Sequence, residues 1–520
     1  MSTILLYIAI LIGSVLIIST IVVMIKFNYR ATRISKNISG FKASKGGRML
    51  GTIESGLEEL NQQAQWFVVE ALSLESEITL DIEVVRKSLL SLSMRHPLLR
   101  MKIKEKISPV TGEIIHYFQE MDNTNTVDLE IIKTSADDWI SVFEDESLKP
   151  IDSANGPLWR GTLLTEIFNT SEHKYNNTII FSFHHCIIDG TSIFVFYKEF
   201  LDSLMLFHKG GKDEPSIKSL PLQPSADELL SHHLKINFRD KLIFSIFYII
   251  YLQIFFRLNR KLQRDKSKNI YLKKFPPLIL KDRHIKPATR VIPMYLTKEE
   301  TTRFFKCCKD NNSTVNGAIS AAAIMSIAKI LQDGIIKKPV TVPTTFNIDF
   351  RNFCHPGVPA DSLGCVIGIC GIKTTVPVLK NLKIDFWDLA RNFTIEVRRK
   401  IEKKEPFNMI KIPELFQLAG ISQKRMIANH LKRKSKTGRL DNVLNMSNLG
   451  RHDINENRPY ELIWQYGGAV EHNIGPVFGN VIITLNGRLL WTLLYFTNIV
   501  SDNQAKEYIN SVFDILKEAC

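Results

Sequence analysis

The sequence lacks the cysteine patterns that build zinc sites and disulfide frameworks. Its seven cysteines are odd in number, include no CxxC pair and have spacings that fit neither kind of site. This usage favours a reducing compartment. The adjacent Cys307 and Cys308 are interpreted as a partly buried pair in a helix, because buried free cysteines behave as small apolar residues.

Basic residues are absent from the first 25 positions of the chain. Residues 4–25 are apolar except for Tyr7, Ser14, Ser19 and Thr20, and as a helix this run extends over about 33 Å, enough to cross a bilayer. A cleavable signal peptide carries a basic start and a small-residue cleavage site, and neither is found here. The sequence therefore predicts an uncleaved transmembrane helix.

Positive charge begins immediately after this run, with Lys26, Arg30, Arg33, Lys36, Lys42 and Lys45. By the positive-inside rule, the remainder of the chain lies in the cytoplasm, which agrees with the cysteine usage. We expect a single-pass protein of an internal membrane, the endoplasmic reticulum or another, with a cytoplasmic catalytic domain. The net charge of +14 also favours anionic partners.

A second apolar run, residues 242–256, is rich in aromatic residues and is flanked by Lys241 and Arg257. Its helical length is about 22 Å, shorter than the ~30 Å hydrocarbon core of a bilayer. A crossing here would also place the two halves of the chain on opposite sides of the membrane. We expect either a helix in the membrane interface, with its basic flanks at the headgroups, or a buried core helix.

The remaining pattern divides the chain into two α/β units, without internal repeats or low-complexity tracts. Helical periodicity is found over residues 80–100 and 298–333, and a strand-like segment over 481–495 is interrupted by an Asn486-Gly487 turn. The expected organisation has five parts: a transmembrane anchor (1–26), a basic linker (27–52), a first lobe (53–206), a connector (207–290) and a second lobe (291–520).

Two adjacent histidines mark the strongest candidate for a functional site. The segment HHCIIDG at residues 184–190 follows a strand-like run at 178–183 and precedes a helical pattern that Thr191 or Ser192 can cap. A loop between a strand and a helix is held at both ends, and Gly190 permits its turn. The sequence therefore predicts a rigid polar loop.

Histidine suits general-base catalysis, because its ordinary pKa lies near 6.5 and it acts once its tautomer is fixed. The rigid loop supplies that fixing for His184 and His185, while Asp189 can bond back to the loop or pair with a cation elsewhere. The alternatives are satisfied core histidines or half of a metal site, for which no further ligands at workable spacing stand out. Cys186 is interpreted as a small buried residue and not as a nucleophile.

This segment resembles the HHxxxDG motif of the CoA-dependent acyltransferase superfamily, which includes alcohol acetyltransferases, wax ester synthases and nonribosomal peptide condensation domains. Four other segments are similar to superfamily motifs, in the expected order, over about residues 55–515: RHPLLR at 95–100, GPLWR at 156–160, NIDFR at 347–351 and NMSNLG at 445–450. The DFGWG motif of plant acyltransferases is missing and no serine-bearing carrier domain is attached, so neither of those branches is expected.

The resemblance implies an α/β (α+β) fold of two chloramphenicol-acetyltransferase-like lobes with a central tunnel, in addition to the N-terminal transmembrane helix. It implies that His185 takes the acceptor proton, that His184 shapes the loop, and that Asp189 is structural and forms a salt bridge across the lobes with Arg351. Ser447 and Asn448 lie where the superfamily closes the tunnel, so they are expected to bind substrate.

The expected reaction transfers an acyl group from acyl-CoA, as a co-substrate, to the hydroxyl of a lipophilic alcohol, with no bound cofactor or metal. An amine acceptor would use the same base. A catalytically silent, membrane-tethered protein that binds a hydrophobic ligand is the alternative from another class. The basic run at residues 424–436 is interpreted as a solvated loop, a site for CoA phosphates or a contact with anionic lipid. No motif supports nucleic-acid binding.

Overall fold

The computed structural model describes the chain in segments: residues 18–33, 46–108, 112, 114–122, 127–208, 217–247, 269–276, 287–437, 442–454, 458–470 and 475–520. Most of the predicted membrane span and most of the second apolar run lie outside these segments. Within them, no single helix is long and apolar enough to cross a bilayer, although one pair bent by 99°, Lys298–Asp310 with Val315–Leu331, passes by length and composition together. The N-terminal transmembrane helix therefore stays a prediction.

The first lobe is built on a mixed six-stranded sheet. Its strands are β1 (Val68–Ser76), β4 (Leu129–Ser135), β5 (Trp159–Thr165), β6 (Ile167–Asn169), β7 (Lys174–Phe183) and β12 (Tyr460–Ala469), and a separate hairpin holds β2 (Met101–Ile107) and β3 (Ile114–Glu120). The strand order is β12-β1-β7-β5-β4, with β6 beside β7. The helices of this lobe are α2 (Thr52–Ala64), α3 (Ile82–Arg95), α4 (Trp139–Ser147) and α5 (Gly190–His208).

The second lobe contains another six-stranded sheet, made of β8 (Thr289–Tyr295), β9 (Val340–Asp349), β10 (Ile367–Val376), β11 (Leu444–His452), β13 (Phe478–Leu485) and β14 (Arg488–Phe496). These strands follow the order β10-β9-β11-β13-β14-β8. Its helices are α9 (Lys298–Asp310), α10 (Val315–Leu331), α11 (Leu382–Glu402), α12 (Asn408–Leu418), α13 (Gln423–Thr437) and α14 (Asp502–Ala519). The Ala-rich α10 is buried on nearly all sides, so it forms the centre of this lobe.

The lobe boundary differs from the expected one, because β12 comes from the second half of the chain and completes the sheet of the first lobe. It pairs antiparallel with β1, from Val68 opposite Ala469 to Ser76 opposite Tyr460. Trp464 of β12 also packs against Trp139 of α4, with 4.9 Å between ring centroids. The first lobe therefore includes part of the segment 291–520.

Local predictions hold where the sequence carries turn and cap signals. Helix α3 ends before Pro97, and the turn between β13 and β14 places Asn486 and Gly487 at φ values of 47° and 83°, as an Asn-Gly hairpin requires. The helical pattern over 298–333 is interrupted between α9 and α10, where Asn312 has a φ of 54°. Thr314 then caps α10 by accepting a hydrogen bond from the backbone of Gly317.

The start of the predicted linker is helical instead. Residues 18–33 form one helix, α1, and residues 238–247 form another, α7, which contains the first residues of the second apolar run. Phe27 of α1 is buried against Phe244 of α7, with 5.9 Å between ring centroids. Residues 27–33 therefore hold α1 against the rest of the protein. Two further short helices, α6 (Ala226–Leu229) and α8 (Ile270–Lys274), lie in the connector.

Candidate active site

His185 lies in the loop between β7 and α5, where the sequence predicts a rigid connection. Its Nδ1–H donates a hydrogen bond of 2.8 Å to the backbone carbonyl of Ile188. A carbonyl only accepts, so this bond places the proton on Nδ1 and leaves the lone pair on Nε2. The indole of Trp66, just after α2, lies 5.3 Å from the imidazole centroid and restricts the ring further.

The surroundings of His185 favour its neutral form. Burial lowers the pKa of His185 below its ordinary 6.5, and the hydrogen bond to Ile188 only partly opposes this shift. At neutral pH the imidazole is therefore uncharged and able to accept a proton at Nε2. This is the state that a general base needs before the reaction begins.

His184 is fully buried and has two fixed partners. Its Nδ1 accepts a hydrogen bond of 3.2 Å from the backbone N–H of Cys186, so its Nε2–H donates to Glu58 of α2 at 2.8 Å. Burial opposes ionisation of Glu58, but hydrogen bonds from His184, Ser153 and Gln62 outweigh it and hold the pKa of this carboxyl below 4.5. His184 thus joins the loop to α2, and both of its ring nitrogens are occupied.

Asp189 and Arg351 form a buried bidentate ion pair across the two lobes. Arg351 Nη1 and Nη2 donate to the two carboxylate oxygens of Asp189 at 2.9 and 3.0 Å. Asp189 also accepts the backbone N–H of Ser192 at 2.9 Å and that of Val366 at 2.8 Å. This carboxylate therefore caps α5, where the sequence predicts Thr191 or Ser192, and ties the loop to the second lobe.

Gly190 is the contact point between the loop and the NMSNLG segment on β11. A Cβ atom at Gly190 would meet the end of the Leu449 side chain, so any larger residue here requires Leu449 to change its rotamer. Ser447 Oγ accepts a hydrogen bond of 3.1 Å from Asn347, and Asn448 Oδ1 accepts the N–H of Gly450 at 3.0 Å. The expected substrate-binding role of Ser447 and Asn448 stays a prediction.

Two other motif segments hold the scaffold around the site. His96 Nε2 lies 2.7 Å from Glu199 of α5, and Arg95 pairs with the same carboxylate at 3.1 Å. Trp159 Nε1 donates to the backbone carbonyl of Leu99 at 2.9 Å. The segments RHPLLR and GPLWR therefore fix α3, α5 and the sheet relative to one another.

Glu58 and Trp66 belong to no motif and are not predicted as site residues. Glu58 belongs to a helix whose sequence is largely polar, so its burial follows from its tertiary contacts with His184 and Ser153. Another missed contact stacks Phe194 of α5 on His452 of β11, with 3.8 Å between ring centroids. The partners in these pairs are too far apart in sequence for a local pattern to predict their contact.

Other chemistry finds little support in the described segments. They contain no group of three or more His, Cys, Asp or Glu side chains arranged to hold a metal ion. Burial raises the pKa of the Cys186 thiol well above 9.0, so it is not a ready nucleophile. A narrow cavity beside Arg351 is lined by Arg48, Leu363 and Cys365, and His185 is not among its lining residues. The central tunnel therefore stays a prediction.

Two family models match successive parts of the chain. The Condensation domain model covers residues 57–220, and the model of the C-terminal part of phthiocerol/phthiodiolone dimycocerosyl transferase covers residues 286–425. The first match contains the histidine loop and the second contains Arg351. The two parts of the chain are therefore similar to condensation-domain-like acyltransferases. Two lobes in this order, joined at the Asp189–Arg351 pair, agree with these matches.

Solved structures share the fold of this chain, and a curated synthetase shares part of its sequence. The trichothecene 15-O-acetyltransferase TRI3 of Fusarium sporotrichioides aligns with a TM-score of 0.66 at 14% identity, covering 91% of this chain and 96% of that one. Polyketide synthase associated protein 5 of Mycobacterium tuberculosis aligns at 0.60 and 14%, covering 88% and 96%. The nonribosomal peptide synthetase kk1B of Curvularia clavata is 29% identical over 170 residues, which is 32% of this chain but 1% of the synthetase.

Proposed function

We propose that this acyltransferase is membrane-anchored and transfers an acyl group from acyl-CoA to the hydroxyl of a lipophilic alcohol, with His185 as the general base. The observation that carries the proposal is the hydrogen bond from His185 Nδ1 to the Ile188 carbonyl. It leaves Nε2 unprotonated, and the lowered pKa of His185 keeps the ring neutral. His184 is fully engaged by Glu58 and Cys186, so His185 is the better base.

The proposed reaction needs only one proton carrier. His185 Nε2 removes the hydroxyl proton as the alcohol oxygen attacks the thioester carbonyl of acyl-CoA. The tetrahedral intermediate then collapses, the carbon–sulfur bond breaks, and the imidazolium returns the proton to the CoA thiolate. The products are an ester and free CoA, and the histidine regains its starting state.

A lipophilic acceptor is supported by the apolar run at residues 4–25 and by the basic residues that follow it. A chain held at a bilayer by such a segment meets bilayer-dissolved alcohols at high local concentration.

The test is turnover by the full chain in microsomes or detergent micelles. CoA release from acetyl-CoA and from a long-chain acyl-CoA is followed against a panel of alcohols and amines, for wild type, His185→Ala and the exposed-site control His232→Ala. We expect a loss of about 10²–10⁴-fold for His185→Ala, the usual contribution of a general base, and wild-type rates for the control. No turnover by wild type across the panel, or equal turnover by His185→Ala, would contradict the proposal.

A further inference from the structure

Helix α1 has two opposite apolar faces. One face, with Val23, Phe27 and Ala31, packs into a small hydrophobic cluster with α7 and α12. The other face, made of residues spaced by three or four positions, is exposed to solvent by 45–63%: Ile18, Ile21, Val22, Ile25 and Tyr29. A helix buried on one side by protein needs a second apolar environment to cover such a face.

Three helices that are distant in sequence are locked together here. Phe244 of α7 packs against Phe27 of α1 and, edge to face at 5.1 Å, against Phe416 of α12. Arg30 of α1 donates a hydrogen bond of 3.4 Å to the Gln417 carbonyl at the C-terminal end of α12, where a cation is favoured. Gly420, whose φ of +87° favours glycine, lies directly against the Arg30 guanidinium.

Exposed apolar side chains are also found on the other two helices. Ile243 of α7 is 55% exposed and Ile412 of α12 is 44% exposed. Single exposed isoleucines are common. Exposed apolar side chains on three helices that pack together are uncommon. Such patches mark contacts with membranes or proteins.

Charge favours a membrane over a protein. Lys26 and Arg33 of α1 and Arg239 of α7 are exposed around the apolar face, and α1 contains no acidic residue. Basic residues that border an apolar surface attract anionic lipid headgroups. The chain before α1 is also apolar from residue 4 onwards, so a bilayer that takes up this run lies directly beside α7 and α12.

We propose that α1, α7 and α12 form a docking platform that seats the catalytic body on an anionic leaflet. This deepens the membrane anchoring proposed above and rests on it. The catalytic body is then not attached through a flexible linker. Instead, one fixed face of the second lobe lies against the bilayer. Helix α12 also packs against α2, the helix that holds His184 through Glu58. Through α2, the platform is therefore connected to the active-site loop.

The test measures which helices touch lipid. Single cysteines replacing Ile25, Ile243 or Ile412 in the full chain are labelled with bimane and reconstituted into vesicles of phosphatidylcholine and phosphatidylserine containing doxyl-lipids. Exposed Ile335 and Ile131, outside the three helices, serve as matched controls, and labelled wild type corrects for native cysteines. We expect at least threefold stronger quenching at the three platform positions than at the two controls.

The other outcomes overturn the proposal in distinguishable ways. Quenching at Ile25 alone means that the chain is anchored but has no platform. Quenching at none of the positions removes the anchor as well. Protection of Ile243 and Ile412 from aqueous iodide without doxyl quenching means that a protein, or a second copy of the chain, covers this face.

A functional arm separates docking from catalysis. The double variant Ile243→Glu/Ile412→Glu is compared with Ile243→Leu/Ile412→Leu in the same vesicles. We expect a loss of tenfold or more in turnover of a bilayer-dissolved long-chain alcohol, and unchanged turnover of a short water-soluble alcohol, for the Glu variant only. Wild-type rates on both alcohols would contradict the platform, whereas absence of turnover in every variant, wild type included, would contradict the proposed acyl transfer.

Discussion

Glu58 and His184 form a fully buried pair, with 2.8 Å between Glu58 Oε2 and His184 Nε2. The two residues are 126 positions apart, and their contact joins α2 to the loop that carries His185. Trp66, two residues after α2, also packs on the His185 ring, so α2 and the residues that follow it contact both histidines. The position of the proposed base therefore depends on a helix outside the motif.

The first prediction concerns the charge of Glu58. Glu58→Gln keeps an acceptor for His184 but removes the charge-assisted part of the bond, so we expect a loss of about 1–2 kcal/mol in unfolding free energy and a fall in kcat with little change in KM. Glu59→Gln is the matched control, because His116 lies 4.0 Å from that neighbouring buried carboxylate. Equal behaviour of the two variants in thermal unfolding and turnover would refute a positioning role for Glu58.

The second prediction concerns the ion pair across the lobes. Arg351→Ala leaves the Asp189 carboxylate buried without its cation, which typically costs about 3–5 kcal/mol. We expect a large drop in apparent Tm and loss of turnover. Arg458, which pairs with the half-exposed Asp202 at 2.6 Å, provides the control, because Arg458→Ala removes a pair that water can replace. Similar Tm values for the two variants would show that the buried pair is not needed for stability.

The third prediction tests the contact between Gly190 and Leu449. Gly190→Ala inserts a methyl group against the end of the Leu449 side chain, so Leu449 must change its rotamer beside the active-site loop. We expect reduced turnover, with recovery in the double variant Gly190→Ala/Leu449→Ala, measured as a double-mutant cycle. Additive losses would mean that the two residues act independently.

The fourth prediction concerns pH. A general base works when unprotonated, and burial lowers the pKa of His185 below 6.5. The rate should therefore rise with pH through a midpoint below 6.5 and be flat around neutrality. A pH profile of kcat/KM with a water-soluble alcohol measures this limb. A midpoint above 6.5 would show that another group, or a differently placed His185, controls the reaction.

The sequence predicts the site better than it predicts the assembly around it. The histidine loop is local, because strand, turn and helix signals within residues 178–208 specify it, and the resemblance supplied Arg351 as the partner of Asp189. The roles of Glu58 and Trp66 depend on contacts between residues more than a hundred positions apart. The same is true of β12, which completes the sheet of the first lobe. Hydrophobic periodicity carries no information on such contacts.

The same limit applies to the N-terminus. Composition predicts a linker after the apolar run, because residues 27–52 are basic and contain Gly and Ser. Helix α1 instead continues to residue 33, since Phe27 finds an apolar partner in Phe244, which lies 217 positions away in sequence. Phe27 and Phe244 come into contact only in the folded protein, so the sequence around Phe27 does not predict this contact.

Strand β12 has a consequence for how the protein is made. Strand β1 pairs with β7 on one side, but its neighbour on the other side is missing until residues 460–469 have been synthesised. Throughout translation of the intervening segment, the edge of β1 offers unpaired backbone groups to any passing chain. A fragment that ends at the natural-looking boundary near residue 206 would keep that open edge permanently. Attempts to produce the first lobe alone should therefore yield aggregates, and co-expression with the second half should restore solubility.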